Sequence, residues 1–230
     1  MKALILISAI IGICALMIAG ILYAYRFVLK RNKIAMVYSY EEKDEDRATN
    51  LEYFLKNDGL LDGVDYFIVI HGECSVPLPK RRNVVYIKRE TGTVSAFEPF
   101  YYALKEYVKK SYDYYFFMNS SMRGPYVSKP YTWVDHFVPL FGKETKLVGT
   151  AIECVDKSGR YAPYLQAGFF GLDREGLMYL QDIGFFQEGK EELMSQKILG
   201  GNEEWTYASL VSECCSRRTV VPENEVFIKI

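Results

Sequence analysis

The residues best suited to chemistry follow one apolar run near the middle of the chain. Residues 112–125 read YDYYFFMNSSMRGP, so the run Tyr114–Met118 ends abruptly in the polar triplet Asn119–Ser121. A buried strand that stops in small polar side chains presents hydrogen-bond donors and acceptors at a sheet edge. Arg123 follows on an Arg-Gly-Pro turn, and a guanidinium can bind two oxygens of a diphosphate at once. The alternative is an ordinary strand-end turn that carries a surface arginine.

The elements around this segment alternate between strands and helices. Apolar, β-prone runs predict strands, and apolar residues at helical spacing predict helices. The predicted strands are 34–40, 64–70, 83–88, 112–118, 146–152 and 165–172; the predicted helices start near Leu51 and cover 97–110, 173–182 and 188–199. This order predicts an α/β fold, with a mostly parallel central sheet and flanking helices.

In such sheets, ligands bind beyond the carboxyl ends of the strands. The residues just after the predicted strands are therefore the candidates for a site: Ser39–Tyr40, His71–Gly72, Arg89–Gly92, Asn119–Pro125, Glu153 and Asp173. The chain contains neither the G-x-G-x-x-G motif after its first strand nor G-x-x-x-x-G-K-[ST] anywhere. Dinucleotide oxidoreductases and P-loop NTPases therefore lose their main sequence support.

Several segments in this order resemble a group of small GT-A glycosyltransferases. That group includes the glycosyltransferase domains of large algal viruses and related polysaccharide-synthesis enzymes. The resemblance covers roughly residues 33–210 and rests on N-S-S-M-R-G-P-Y (119–126), Trp133, K-L-V-G-T (146–150), P-Y-L-Q-A-G-F-F-G-L-D-R-E-G-L (163–177) and E-E-L-M-S-Q-K-I-L (191–199). It implies a GT-A-like, Rossmann-like fold and transfer of a hexose or deoxyhexose from a nucleotide-sugar donor to a glycan or other hydroxyl acceptor.

The resemblance also implies roles for individual residues. The catalytic base is expected at Glu191, with Glu192 beside it. Gln166 is expected to bind the acceptor sugar. The expected donor-binding residues are Ser39, Tyr40 (by stacking on the base), Arg89, Gly92, Asn119, Ser120, Ser121 and Arg123.

The chain departs from the group at the metal site. GT-A enzymes typically end this strand in Asp-x-Asp, which holds Mn²⁺ or Mg²⁺, whereas this chain has Asn119-Ser120-Ser121. Hard divalent cations prefer charged oxygen ligands, so the triplet predicts at best a weak metal site. Val94 also stands where an acidic residue is common in the group. A non-catalytic protein that binds carbohydrate or nucleotide sugar with a decayed site is therefore the alternative function.

Most of the assigned side chains also have plainer interpretations. The two glutamates at 191–192 fit a solvated helix face. Glu153 and Asp173 are rival bases, and Asp173 equally fits a helix N-cap. Gln166 equally fits a satisfied core amide. The basic run Lys80-Arg81-Arg82 is typical of a solvated loop, and Trp133 and Trp205 are typical of the core.

The N-terminal segment is a long apolar run that differs from the rest of the chain. The segment Ala3–Tyr25 has no charged residue over its 23 positions, and as a helix it would span roughly 35 Å. The sequence therefore predicts a transmembrane anchor at residues 1–25, a stalk at 26–33 and one catalytic domain at 34–230. Basic residues that follow the anchor (Arg26, Lys30, Arg31 and Lys33) favour a single-pass protein with a cytoplasmic domain, with a luminal one as the alternative.

The amino-acid composition excludes some further classes of protein. The chain has 230 residues, 50% of them hydrophobic and 25% charged, which excludes intrinsic disorder. Its net charge of −1 gives no basis for a sequence-blind nucleic-acid binder. Of the five cysteines, only Cys214 and Cys215 are neighbours, and the cysteines are expected to be mostly free thiols. The presence of only two histidines disfavours a histidine-rich metal site.

Overall fold

The computed structural model describes residues 32–90, 97–143, 145–150, 152–153, 164–165, 168–186 and 228–229. Apart from Asn32, these belong to one compact unit, residues 33–230. The anchor predicted at residues 1–25 lies outside the described residues, as does most of the stalk. Within the described ranges, no helix combines the length and apolar character needed to cross a bilayer.

The described elements follow the predicted alternation. The strands are β1 (Ile34–Glu41), β2 (Val64–His71), β3 (Val84–Arg89), β4 (Tyr114–Asn119), β5 (Met122–Arg123), β6 (Leu147–Gly149), β7 (Ile152–Glu153), β8 (Tyr164–Leu165), β9 (Phe169–Asp173) and β10 (Ile228–Lys229). The helices are α1 (Glu45–Lys56), α2 (Glu98–Glu106), α3 (Trp133–Phe137) and α4 (Arg174–Asp182), and a 3₁₀ turn (Val138–Leu140) follows α3.

The central sheet has six strands in the order β3-β2-β1-β4-β9-β6. Strands β3, β2, β1 and β4 are parallel, and β9 runs antiparallel to both of its neighbours. The prediction of an α/β fold with a mostly parallel central sheet is confirmed, and the antiparallel β9 makes the sheet mixed. Two predicted strands are each divided, because 146–152 forms β6 and β7 and 165–172 forms β8 and β9.

The direction of β9 corrects one expectation about the site. Asp173 was expected beyond the carboxyl ends of the parallel strands. It is paired instead with Tyr114, the first residue of β4. Because β9 runs the opposite way, its last residue lies at the amino edge of the parallel strands, away from the proposed site.

The core forms one layer on each face of the sheet. On the α1 face, Tyr38 packs against Phe54 of α1 and Phe116 packs against Trp133, and all four belong to one cluster of buried residues. The other layer is formed by side chains from β1, β4, β9, α2 and α4, among them Val37, Phe117, Phe170, Phe100 and Leu177. Trp133 is fully buried, which confirms its interpretation as a core residue.

A close contact explains why a glycine stands within β9. A Cβ at Gly171 would come within 2.4 Å of the Phe116 ring on the neighbouring β4. Phe116 is itself fully buried between Trp133 and Phe169, so its ring has no room to move. A larger residue at 171 would force apart the two strands that lead into the candidate site.

Candidate functional site

The sheet has its topological switch point at β1. The chain runs from β1 to β2 and β3 on one side and then returns to place β4 on the other side of β1. Crossovers that leave in opposite directions open a crevice above the carboxyl ends of the two central strands. The register places Ser39 of β1 opposite Asn119 of β4 at this edge. Two of the predicted donor-binding residues are therefore neighbours there.

Buried polar side chains gather at the same edge. In the described ranges, the buried polar residues are Ser39, Asn50, His71, Ser120 and Ser121. His71 is the last residue of β2, Ser39 lies two residues before the end of β1, and the two later serines follow β4 directly. Because burying polar groups is costly without partners, their concentration at one edge is typical of a built site rather than a uniform core.

The Asn119–Ser121 triplet forms a tight turn. The Oδ1 of Asn119 accepts a hydrogen bond from the backbone N–H of Ser121 at 3.0 Å and another from the Ser121 hydroxyl at 2.5 Å. The Ser120 hydroxyl donates to the Glu41 carbonyl at 3.4 Å, which ties the turn to the end of β1. The side-chain amide oxygen of Asn119 therefore already accepts two hydrogen bonds within the protein.

Arg123 reaches this turn through a residue of α1. Its Nε donates to Oδ1 of Asn50 at 2.7 Å, and Nδ2 of Asn50 donates to the backbone carbonyl of Ser120 at 2.9 Å. Asn50 is fully buried, whereas 24% of the Arg123 side chain is exposed. The guanidinium is thus anchored at Nε and still reaches the surface next to the turn.

The predicted stacking role does not suit Tyr40 as the structure places it. Its side chain has no exposed surface and belongs to the core layer on the α1 face. The Tyr40 hydroxyl donates to Oε2 of Glu42 at 2.7 Å, and the same oxygen accepts from the backbone N–H of Ser75. Burial, and then the Glu42 hydrogen bond, raise the pKa of Tyr40. Tyr40 therefore supports the loop after β1 and offers no open ring face to a base.

The carboxylate of Glu42 joins the loops that follow β1 and β2. The Ser75 backbone N–H, and then the Tyr40 hydroxyl, lower the pKa of Glu42, because both donate to the ionised form. Ser75 lies in the loop after β2. The ionised carboxylate therefore holds two loops together at the carboxyl edge of the sheet.

Arg89 lies at the far end of the same edge. It is the last residue of β3 and pairs with His71, which pairs with Glu41 of β1. Its guanidinium forms an ion pair with Glu98 and lies 4.3 Å from the ring centre of Tyr102. Two strands, β2 and β1, lie between β3 and β4. Three interstrand steps of about 4.8 Å each therefore separate Arg89 from β4, so Arg89 is not in the cluster around Asn119.

The remaining predicted site residues lie outside the described ranges. These are Gly92, Gln166, Glu191 and Glu192. Of the residues expected to converge on one crevice, Asn119, Ser120, Ser121 and Arg123 are described, and they belong to a single segment of the chain. Their convergence with Gln166 and Glu191 therefore stays a prediction. Glu153 lies in β7, which pairs with β8 apart from the central sheet.

Asp173, the rival base, is a helix N-cap. Its Oδ1 accepts from the backbone N–H of Gly176 at 2.8 Å, and its Oδ2 lies 3.0 Å from Nζ of Lys146. Lys146 also contacts Glu175, and this hydrogen bond lowers the pKa of Glu175. Both Asp173 oxygens are thus engaged in holding the start of α4.

The described residues do not fit a divalent cation. No group of three His, Cys, Asp or Glu side chains in the described ranges comes together as a metal site. The triplet at the end of β4 offers one amide and two hydroxyls, and the amide oxygen is taken by Ser121. Mn²⁺ and Mg²⁺ prefer carboxylate oxygens, so this donor set is too weak and too occupied to hold either ion.

No sequence motif predicted a role for Asn50 or Asp46, although both contact Arg123. Nη2 of Arg123 lies 3.9 Å from Oδ1 of Asp46. One signal for Asn50 was present, because it shares the buried face of α1 with Leu51 and Phe54. Asn is a poor helix former, so an asparagine on an apolar helix face points to a specific partner.

No family model matches the chain, and no curated protein matches its sequence. Solved structures with similar folds include a mannosyltransferase from Pyrobaculum calidifontis in complex with GDP-Man and Mn²⁺, with 10% identity, a TM-score of 0.44 and coverage of 67% of this chain and 47% of that one.

Two further similar structures are the glycosyltransferase GlyE of Streptococcus pneumoniae and a glycosyltransferase involved in glycosylation of the major capsid of PBCV-1. GlyE is 10% identical, with a TM-score of 0.43 and coverage of 86% of this chain and 54% of GlyE. The PBCV-1 enzyme is 11% identical, with a TM-score of 0.43 and coverage of 69% of this chain and 68% of that enzyme. The chain thus spans about half the length of the first two structures. At these scores the likeness assigns no residue role in this chain.

Proposed function

We propose that this chain is a glycosyltransferase that moves a hexose or deoxyhexose from a nucleotide-sugar donor to a glycan or other hydroxyl acceptor. The observation that carries the proposal is the arginine-bearing polar cluster at the sheet's switch point. There Asn50 links the Ser120 carbonyl to the Arg123 guanidinium. The order of sequence motifs that resemble GT-A glycosyltransferases supports the same function.

In the proposed reaction the bond between the anomeric carbon and the diphosphate oxygen breaks, and a bond from that carbon to the acceptor oxygen forms. The acceptor proton passes to a carboxylate base, for which we propose Glu191, with Glu192 beside it. The nucleoside diphosphate leaves with the bonding electron pair. A single base and direct displacement give inversion at the anomeric carbon.

Arg123 is proposed to bind the diphosphate. A guanidinium stabilises the negative charge that develops on the leaving group, and it does so best when it is held in place before the reaction. Its Nε is held at 2.7 Å by Asn50, and its side chain is 24% exposed. The hydroxyls of Ser120 and Ser121 at the end of β4 are proposed as further donor contacts, and Gln166 as an acceptor contact.

We further propose that residues 1–25 anchor the enzyme in a bilayer as a single-pass protein whose catalytic domain faces the cytoplasm. The uncharged segment Ala3–Tyr25 and the basic residues that follow it support this arrangement. Deletion of residues 1–30 should release the protein from membranes. A truncated chain that stays in the membrane fraction would show that the anchor lies elsewhere.

A second candidate function is that of a non-catalytic binder of nucleotide sugars or carbohydrate. The replacement of carboxylates by Asn119-Ser120-Ser121 and the occupied Asn119 oxygen favour it. A nucleotide-sugar binder would hold the donor at the same edge as the glycosyltransferase and would differ from it in turnover alone. A carbohydrate binder would need no nucleotide.

The test is a calorimetric titration of the detergent-solubilised full chain with UDP, GDP and their hexose conjugates, in Mn²⁺ and in EDTA. The glycosyltransferase proposal expects binding of at least one conjugate and release of its nucleotide when a hydroxyl acceptor is added. Binding without nucleotide release would select the non-catalytic candidate. Absence of binding to every nucleotide tested would overturn the glycosyltransferase and the nucleotide-sugar binder, and would leave only carbohydrate binding.

A further inference from the structure

A buried amide in α1 is hydrogen-bonded to the arginine in the candidate site. Asn50 is fully buried beside Leu51 and Phe54, so its amide is cut off from water. A buried amide that lacks partners is costly, and asparagine is a poor choice for a helix interior. Its presence here needs a specific reason in the polar groups that surround it.

Two hydrogen bonds satisfy that amide in one orientation. Oδ1 accepts from Nε of Arg123 at 2.7 Å, and Nδ2 donates to the backbone carbonyl of Ser120 at 2.9 Å. Arginine only donates and a backbone carbonyl only accepts, so the two partners require the carbonyl and the amino group of one primary amide. An aspartate of the same shape would instead turn an oxygen toward the Ser120 carbonyl.

The amide therefore connects three parts of the chain. Asn50 lies in α1, Ser120 follows β4 at the switch point, and Arg123 lies in β5. An unanchored arginine side chain has several rotatable bonds, and a ligand must pay the entropy of ordering them. With Nε held, the direction of the guanidinium relative to the Ser120–Ser121 turn is set before any anion binds.

We propose that Asn50 is a positioning residue that presents the Arg123 guanidinium to a diphosphate. The proposal rests on the function proposed above, and it extends that function to a residue that touches no ligand. Asn50 acts through Arg123 and the turn after β4, so it is a positioning and not a catalytic residue.

The test compares Asn50→Ala and Asn50→Asp with Asn83→Ala in the full chain. Asn83 is a matched control, because its Nδ2 also donates to backbone carbonyls, those of Leu61 and Val64, at the amino edge of the sheet. Each variant is titrated with inorganic pyrophosphate and with UDP and GDP. We expect about tenfold weaker binding for both Asn50 variants and wild-type affinity for Asn83→Ala.

A second readout does not depend on any ligand. The hydrogen-exchange rate of the Arg123 Nε–H is measured by ¹⁵N–¹H NMR, with the signal assigned by its loss in Arg123→Lys. We expect a protected Nε–H in the wild type and in Asn83→Ala, and exchange faster by about tenfold or more in Asn50→Ala because its acceptor is gone. A merely structural role for Asn50 would lower stability without selecting this one proton.

The outcomes separate the two proposals. Unchanged Arg123 exchange in a folded Asn50→Ala protein would overturn the positioning role. Faster exchange with unchanged pyrophosphate affinity would also overturn it, because the anchor would then have no consequence for anions. If the wild type binds pyrophosphate but no nucleotide, the proposed glycosyltransferase function fails while the positioning role stands. If the wild type binds neither, both fail.

Discussion

Oδ1 of Asp46 lies 3.9 Å from Nη2 of Arg123, so the arginine proposed to bind a diphosphate already has an anion beside it. Asp46 is in the first turn of α1, and Asn50 of the same helix holds Nε of that arginine. One helix thus supplies both the group that positions the guanidinium and a carboxylate that competes with its ligand. The aspartate side chain is 67% exposed, which leaves it free to move aside.

Substitution of Asp46 by asparagine should strengthen the binding of pyrophosphate. Without the Asp46 charge, the ligand no longer competes with a carboxylate for the guanidinium. Because an exposed ion pair contributes about 0.2–1 kcal/mol, its loss should raise the affinity for pyrophosphate by up to about fivefold. Glu52→Gln is the control, since it removes one charge from the same helix where the partner is Lys56. Equal affinities in Asp46→Asn and wild type would show that the ion pair does not compete with anions.

Substitution of Arg123 by alanine should weaken nucleotide diphosphate binding by about 1.5–3 kcal/mol, the range for a hydrogen bond to a charged group. Calorimetry measures the change. Arg174→Ala is the charge-matched control, because Arg174 starts α4 and pairs with Asp113, which precedes β4, at the opposite edge of the sheet. If the Arg123 and Arg174 variants bind nucleotide equally well, Arg123 is not part of the site.

Two buried tyrosines should respond differently to loss of their hydroxyl groups. The Tyr38 hydroxyl is buried without a hydrogen-bond partner in the described structure, and burial raises its pKa. The Tyr66 hydroxyl donates to the Gly59 carbonyl at 2.7 Å and accepts from the Leu61 N–H at 2.9 Å. In urea unfolding, Tyr38→Phe should be neutral or stabilising, whereas Tyr66→Phe should cost about 1–3 kcal/mol. A large loss in Tyr38→Phe would reveal a partner for its hydroxyl.

Stability should fall at acidic pH partly through Glu42. Its pKa is lowered in the folded protein by the Ser75 N–H and then by the Tyr40 hydroxyl. A lowered folded pKa means that the contribution is present above the unfolded value and is lost as the pH falls through the folded value. The loss of unfolding free energy between pH 6 and pH 3.5 should therefore be smaller in Glu42→Gln than in wild type. Glu73→Gln, an exposed change in the loop after β2, should behave like wild type.

Asp173→Ala should lower the free energy of unfolding by about 0.5–2 kcal/mol, because it removes the N-cap of α4. Its effect on nucleotide affinity should be small, since Asp173 lies at the amino edge of the parallel strands. Asp173→Ser should recover part of the stability, because a serine hydroxyl can accept from the Gly176 N–H. Loss of turnover with unchanged stability would return Asp173 to the set of candidate bases.

In the first half of the chain, the positions of the strands could be predicted from the local pattern of apolar and polar residues. The runs that start at Ile34, Val64 and Asn83 were predicted within one residue of β1, β2 and β3. These strands are almost continuous apolar segments bounded by polar turns, and buried parallel strands produce that signal. The polar triplet after β4 was recognised for the same reason, because an abrupt change from apolar to polar residues marks the end of a strand.

Pairing direction could not be read in the same way. An apolar run has the same appearance in a parallel and an antiparallel pair, so Asp173 was expected at the wrong edge of the sheet. Tyr40 illustrates the same limit for burial. An aromatic residue at a strand end can stack on a ligand or fill the core. The Tyr40 ring is buried in the core layer on the α1 face of the sheet.

The residues themselves determined the α/β class, the place of the polar turn and the presence of an arginine close to it. Tertiary structure decided what holds that arginine. Asn50 is 73 positions away from Arg123, and Asp46 lies on the same helix. Local patterns reflect the energetics of neighbours along the chain, whereas a hydrogen bond between distant segments exists only after the sheet has brought them together.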